Sequence, residues 1–104
     1  MTDLFLETAR ATSDYYIDGY SAGDGVPYWD SMALNSHKLG DYTKNDADPV
    51  NPWEPVDSSA AAIAAQGLLR LGGFLTRRGE NGSRYWQAGL RVADTLFDDA
   101  GPYL

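Results

Sequence analysis

The stretch DSSAAAIAAQGLLRLGGFL, residues 57–75, decides how the rest of this chain is read. Between Ala60 and Leu69 the only polar side chain is Gln66, so nearly every face of those helical turns is apolar. A helix that is apolar all round is expected to be buried all round. The alanines and Gly67 are small enough to admit close approach by other helices. Asp57 stands where its carboxylate can accept the free amides of a first turn, so the spacing predicts a helix over 58–75 capped by that residue.

Two further helical patterns flank it. Over 2–18, Phe5, Ala9, Thr12 and Tyr16 recur at four, three and four residues, with Leu6 and Ile17 widening the stripe and Gly19 placed as a stop. Over 83–98, Tyr85, Gly89, Val92 and Leu96 form one stripe, flanked by Trp86, Ala93 and Phe97, with Ser83 as the expected N-cap. RRGENGS is a short polar connection of the kind that joins antiparallel helices. The expected class is all-α, with about three helices and one long loop in a single segment spanning residues 1–104.

That loop, residues 19–56, has no helical or strand period, yet it holds four of the five prolines and two of the three tryptophans. Loops of this length in small domains are usually functional. Within it, DGVPYWD places Tyr28 and Trp29 between aspartates. Such a segment serves either as a plug for a core or as a rim for something flat, such as a sugar ring, whose C–H face an aromatic ring can cover.

Fifteen acidic against eight basic residues leave a net charge of −7, which argues against nucleic acid, because phosphate recognition needs clustered Lys and Arg. The same balance weighs against an anionic membrane surface. Without cysteine there is no disulfide framework and no thiolate. One histidine, His37, is too few for a common zinc site, and no metal is expected. The carboxylate-rich DYTKNDADPVNPWE lacks the glycine and final glutamate of a calcium loop, so Asp and Asn there are read as seeds of bends before Pro49 and Pro52. The N-terminus is acidic and amphipathic, unlike a signal peptide, and the expected compartment is the cytoplasm.

Two small helices and a loop are too little to sheathe the helix over 58–75. A ring of neighbouring helices, as in a two-layer helical barrel, would do so, and the chain is accordingly read as a fragment. VPYWD followed by DSSAAAIAA, with RYWQAGLRVADTL after it, resembles the unsaturated glucuronyl hydrolases, glycoside hydrolase family 88. The similarity spans nearly the whole chain. It implies an (α/α)6 barrel of six helical hairpins, of which this chain would be a portion of the C-terminal half.

The resemblance also implies hydration of the C4=C5 double bond of a terminal unsaturated uronic acid on lyase-generated oligosaccharides, with loss of the glycosidic bond and without metal or organic cofactor. The essential aspartates of that family lie ahead of VPYWD and find no match here, so no catalytic residue is assigned and this chain by itself is expected to be inactive. Val56 also departs from the arginine common before DSSA.

The candidate substrate-binding residues are Tyr28, Trp29, Asp30, Asp57 and Ser58. Asp30 would hold a sugar hydroxyl or fix its own loop; Asp57 and Ser58 would cap the helix or orient polar groups at a cavity mouth. His37 and Lys38 are weighed as contacts for a uronate or sulfate against solvated loop positions. Arg77, Arg78 and Arg84 form the one basic cluster, beside a helix C-terminus whose dipole favours them. Two alternatives stand beside the leading reading: the related unsaturated rhamnogalacturonyl hydrolases, and a non-catalytic carbohydrate-binding helical domain.

Overall fold

The computed structural model describes residues 3–104. Three α-helices, α1 (Asp3–Tyr15), α2 (Ser58–Arg77) and α3 (Ser83–Leu96), are its regular elements, so the all-α expectation is met. A π-helical turn, Tyr16–Tyr20, prolongs α1, and two short 3-10 turns, Ser36–Leu39 and Tyr42–Lys44, lie in the long loop.

The helix beginning after Asp57 forms as its sequence requires: the Asp57 carboxylate accepts a hydrogen bond from the Ala60 amide at 2.9 Å. It ends where Gly79 takes φ +81°, a left-handed conformation that suits glycine. There the Glu80 amide donates to the Leu75 carbonyl (2.9 Å) and the Gly79 amide to the Thr76 carbonyl (3.0 Å), the paired closure of a Schellman ending.

Antiparallel packing of α2 on α3 forms the centre of the molecule, and small residues make it close. A Cβ on Gly72 would stand 2.7 Å from the Trp86 amide nitrogen, and one on Gly89 would stand 2.8 Å from Leu69 Cγ. Ala61, Ala65, Leu68, Gly72 and Leu75 of α2 meet Tyr85, Ala88, Gly89 and Val92 of α3 in the buried core. The stripe foreseen on α3 is therefore the one that packs.

Two boundaries and one burial pattern depart from expectation. Gly19 does not stop the first helix. The Ser21 amide and hydroxyl both donate to the Tyr16 carbonyl, at 3.0 and 2.9 Å, and this wide closure carries the helix through Tyr20. Ser83 is the first residue of α3 and not its cap; Gly82, packed against Gly72, holds the cap position, and the Asn81 carboxamide oxygen accepts the Ser83 amide at 3.0 Å.

The third departure concerns α2, which is not enclosed on all sides. Ala62, Ile63, Gln66, Gly67 and Arg70 face solvent, and Ile63 is 72% exposed. The molecule is 20 Å along its shortest axis, about two helix diameters, which leaves no further layer to cover that side.

The long loop crosses the helices and is ordered by bonds distant in sequence. Val26 is fully buried, and Gly25, at φ +89°, packs so closely on α3 that a Cβ would meet Val92 Cγ2 at 2.6 Å. Tyr16 donates its hydroxyl proton to the Gly25 carbonyl (2.6 Å), and Thr95 donates to the Asp24 carbonyl (2.7 Å). Loop, π turn and α3 are thereby locked together over one core.

Candidate functional site

The two motifs singled out in the sequence meet in space. Tyr28 and Val56 form an isolated antiparallel bridge, in which the Trp29 amide donates to the Pro55 carbonyl at 2.9 Å and the Asp57 amide to the Pro27 carbonyl at 2.8 Å. DGVPYWD is thus tied directly to the residue that caps α2. The extended backbone at the bridge sends successive side chains to opposite sides.

That alternation separates Tyr28 from Trp29. The Tyr28 ring is buried at 5% exposure and stands edge-on to Tyr42, with centroids 5.5 Å apart. Its hydroxyl accepts the Asp48 amide at 3.0 Å. Tyr28 is a plug in this chain and not part of a rim. Trp29 points the other way, is 51% exposed, and donates its indole N–H to Glu54 Oε2 at 2.6 Å.

Asp30 lies half-buried beside Trp29, and its Oδ1 accepts the Met32 amide at 2.9 Å, a local bend in its own loop. Asp57 caps α2 through one carboxylate oxygen, and Ser58 is exposed in the first turn. Ser58 makes no hydrogen bond to a histidine or carboxylate among the described residues, so nothing activates it as a nucleophile.

Tyr20 joins the group. Its hydroxyl donates to the Tyr28 carbonyl at 2.9 Å, and its ring stacks on Tyr15 at 6.2 Å. Burial first, then the negative charges of Asp57 and Asp30, push the Tyr20 phenol above its ordinary value. It therefore stays protonated at neutral pH and keeps its donated bond to the Tyr28 carbonyl. The bridge thus joins the segment carrying an exposed indole and Asp30 to the one carrying Asp57, while the Tyr20 proton is taken by the Tyr28 carbonyl.

Glu54 was not legible as part of this site. It is 7% exposed, and both its oxygens are engaged, with Asn35 donating its amide to Oε1 at 3.1 Å. The only signal was a single carboxylate set between Trp53 and Pro55. The bends around Pro49 and Pro52 follow their sequence reading. Asp48 Oδ1 accepts the Val50 amide (2.9 Å), and Asn51 Oδ1 accepts the Trp53 and Glu54 amides (both 2.8 Å).

His37 and Lys38 are exposed in a 3-10 turn. The basic cluster is divided. Arg84 is held by Asp14 (3.1 Å) and Asp18 (2.8 Å), and Arg78 by Glu80 (3.1 Å), while Arg77 is exposed without an ion pair among the described residues. No group of three or more acidic or histidine side chains among the described residues could hold a metal ion, and no helix among them is long and apolar enough to cross a membrane. No protein-family model matches the chain, and neither a curated protein nor a solved structure matches it.

Proposed function

We propose that this chain is a portion of an (α/α)6-barrel glycoside hydrolase of the unsaturated glucuronyl hydrolase type, working in the cytoplasm, and that it supplies part of the rim that receives an unsaturated uronic sugar. The observation that supports this reading is the bridge that ties the backbone of the segment bearing the exposed Trp29 and Asp30 to Asp57 at the start of α2. The uncovered side of α2 around Ala62 and Ile63 is consistent with further hairpins of such a barrel. In this reading Trp29 stacks on the sugar's C–H face, and Asp30 accepts a hydroxyl proton. Hydration of the double bond falls to aspartates outside the present motifs, so this chain by itself binds and does not turn over.

The test is calorimetric titration with an unsaturated uronic disaccharide, alongside ultraviolet absorbance of its double bond. Binding that Trp29→Ala weakens by about tenfold or more is the expected result, corresponding to loss of one stacking contact of about 1.4 kcal/mol. Equal affinity in the variant sinks the rim, and loss of absorbance catalysed by the purified chain sinks the division of labour.

A second reading, a non-catalytic carbohydrate-binding helical domain, draws on a different observation: Val26, Leu75 and Val92 are fully buried in a core this chain closes by itself. Cooperative thermal unfolding with a sugar-dependent rise in Tm favours it. Aggregation or a molten state on expression favours the barrel portion.

A further inference from the structure

A groove of about 670 Å³ runs along the C-terminal half of α2, lined by Leu69, Arg70, Phe74, Arg77 and Trp86, with Ala9 of α1 at its edge. No acidic residue among the described residues lines it. Arg70 and Arg77 are exposed and make no ion pair among the described residues, although the chain carries a net charge of −7. Trp86 is 42% exposed. Two open guanidinium groups beside Trp86 and Phe74, the latter with the Arg78 guanidinium 5.5 Å from its ring centre, fit a partner that is apolar and acidic at once.

The first two turns of α1 have that character. Asp3, Leu4 and Glu7 are exposed, Leu4 by 68%, and no basic residue intervenes before Arg10. Asp3 and Glu7 make no ion pair among the described residues either. They stand one turn apart, about 6 Å, and Arg70 and Arg77 about 10 Å, a difference that long arginine side chains span. Arg10 is bound to Glu80 in the turn between α2 and α3 at 2.8 Å. The start of α1 therefore lies at the same end of the molecule as Arg77.

We propose that a second copy of this chain occupies the groove, in a two-fold dimer in which each copy's Asp3, Leu4 and Glu7 dock against the other's Arg70, Arg77 and Trp86. Mutually complementary patches at one end of the molecule let the exchange close on itself instead of growing into a chain of copies. Leu4 enters over Trp86 and Phe74, and the carboxylates meet the guanidinium groups at the rim. This inference does not rest on the glycosidase reading, whose sugar rim lies at the other end of α2.

Sedimentation velocity on the full chain over rising concentration is the test. A dimer with Kd on the order of micromolar, weakened by salt, is expected. Arg70→Glu with Arg77→Glu raises Kd by about tenfold or more, as does Asp3→Lys with Glu7→Lys. Mixing the two double variants restores a heterodimer, because each groove again meets an oppositely charged turn. That restoration is absent if the variants merely misfold, and circular dichroism checks their helix content. A chain that stays monomeric, or a dimer indifferent to both charge reversals, overturns the proposal. So does a monomer whose Trp86 fluorescence responds to glucuronate, which would assign the groove to a small anion.

Discussion

Trp29 and Glu54 are joined by a 2.6 Å hydrogen bond from the indole N–H to a carboxylate oxygen, although they stand far apart in the chain and one is exposed while the other is buried. The carboxylate's second oxygen takes the Asn35 amide. One side chain thus fixes the orientation of the exposed ring and closes the loop between residues 29 and 54.

Glu54→Ala strands two donors, the Trp29 indole and the Asn35 amide. Bonds to a charged acceptor are the stronger kind, and the expected loss is about 2–3 kcal/mol of unfolding free energy. Glu54→Gln keeps an acceptor and most of the volume, and should lose roughly 1 kcal/mol. Urea unfolding followed by far-ultraviolet circular dichroism measures both. Equal stability of wild type and Glu54→Ala would show that the loop is held by other contacts.

The helical hairpin separates two glycines that look alike in the sequence. A Cβ on Gly67 meets nothing within 4 Å among the described residues, whereas one on Gly72 falls 2.7 Å from the Trp86 amide nitrogen. Gly67→Ala should stabilise by roughly 0.5–1 kcal/mol through helix propensity. Gly72→Ala must push α3 away from α2 and should destabilise by roughly 1–3 kcal/mol. Thermal melting of the pair checks the sign of each. Matching shifts in the same direction would mean that the helices do not approach as closely as described.

The three helices were legible because burial on one face repeats at helical spacing, and Tyr85, Gly89 and Val92 show it in both sequence and structure. The solvent-facing side of α2 was not legible. Alanine is the best helix former and leaves little apolar surface exposed, so an Ala-rich run reports propensity as readily as enclosure. Order in the long loop was hidden for another reason. It depends on single bonds between distant residues, Tyr28 with Asp48 and Trp29 with Glu54, which leave no periodic trace. Of the candidate site, the backbone bridge joins the segment of Trp29 and Asp30 to that of Asp57, while Tyr20 and Glu54 entered only through non-local contacts.

Tyr103 gives the last prediction, one with a pH signature. Its hydroxyl is buried and makes no hydrogen bond among the described residues. Burial, then the nearby charges of Asp24, Asp46 and Asp48 with the Tyr28 phenol, pushes its pKa up to about 12 from the usual 10.0. The folded protein therefore holds this proton more tightly than the unfolded chain. The corresponding stability is fully present below about pH 10 and is lost as pH rises through about 12. Tyr103→Phe removes an unpaired polar group and keeps the ring, so at neutral pH it should stabilise by about 1 kcal/mol, a rise in Tm of roughly 4–8 °C. Between pH 10 and 12 the variant should lack the part of the decline that the phenol contributes, and its advantage over wild type should widen there. Melting curves of both proteins across that range decide the matter. A variant less stable at neutral pH would show that the hydroxyl has a partner after all.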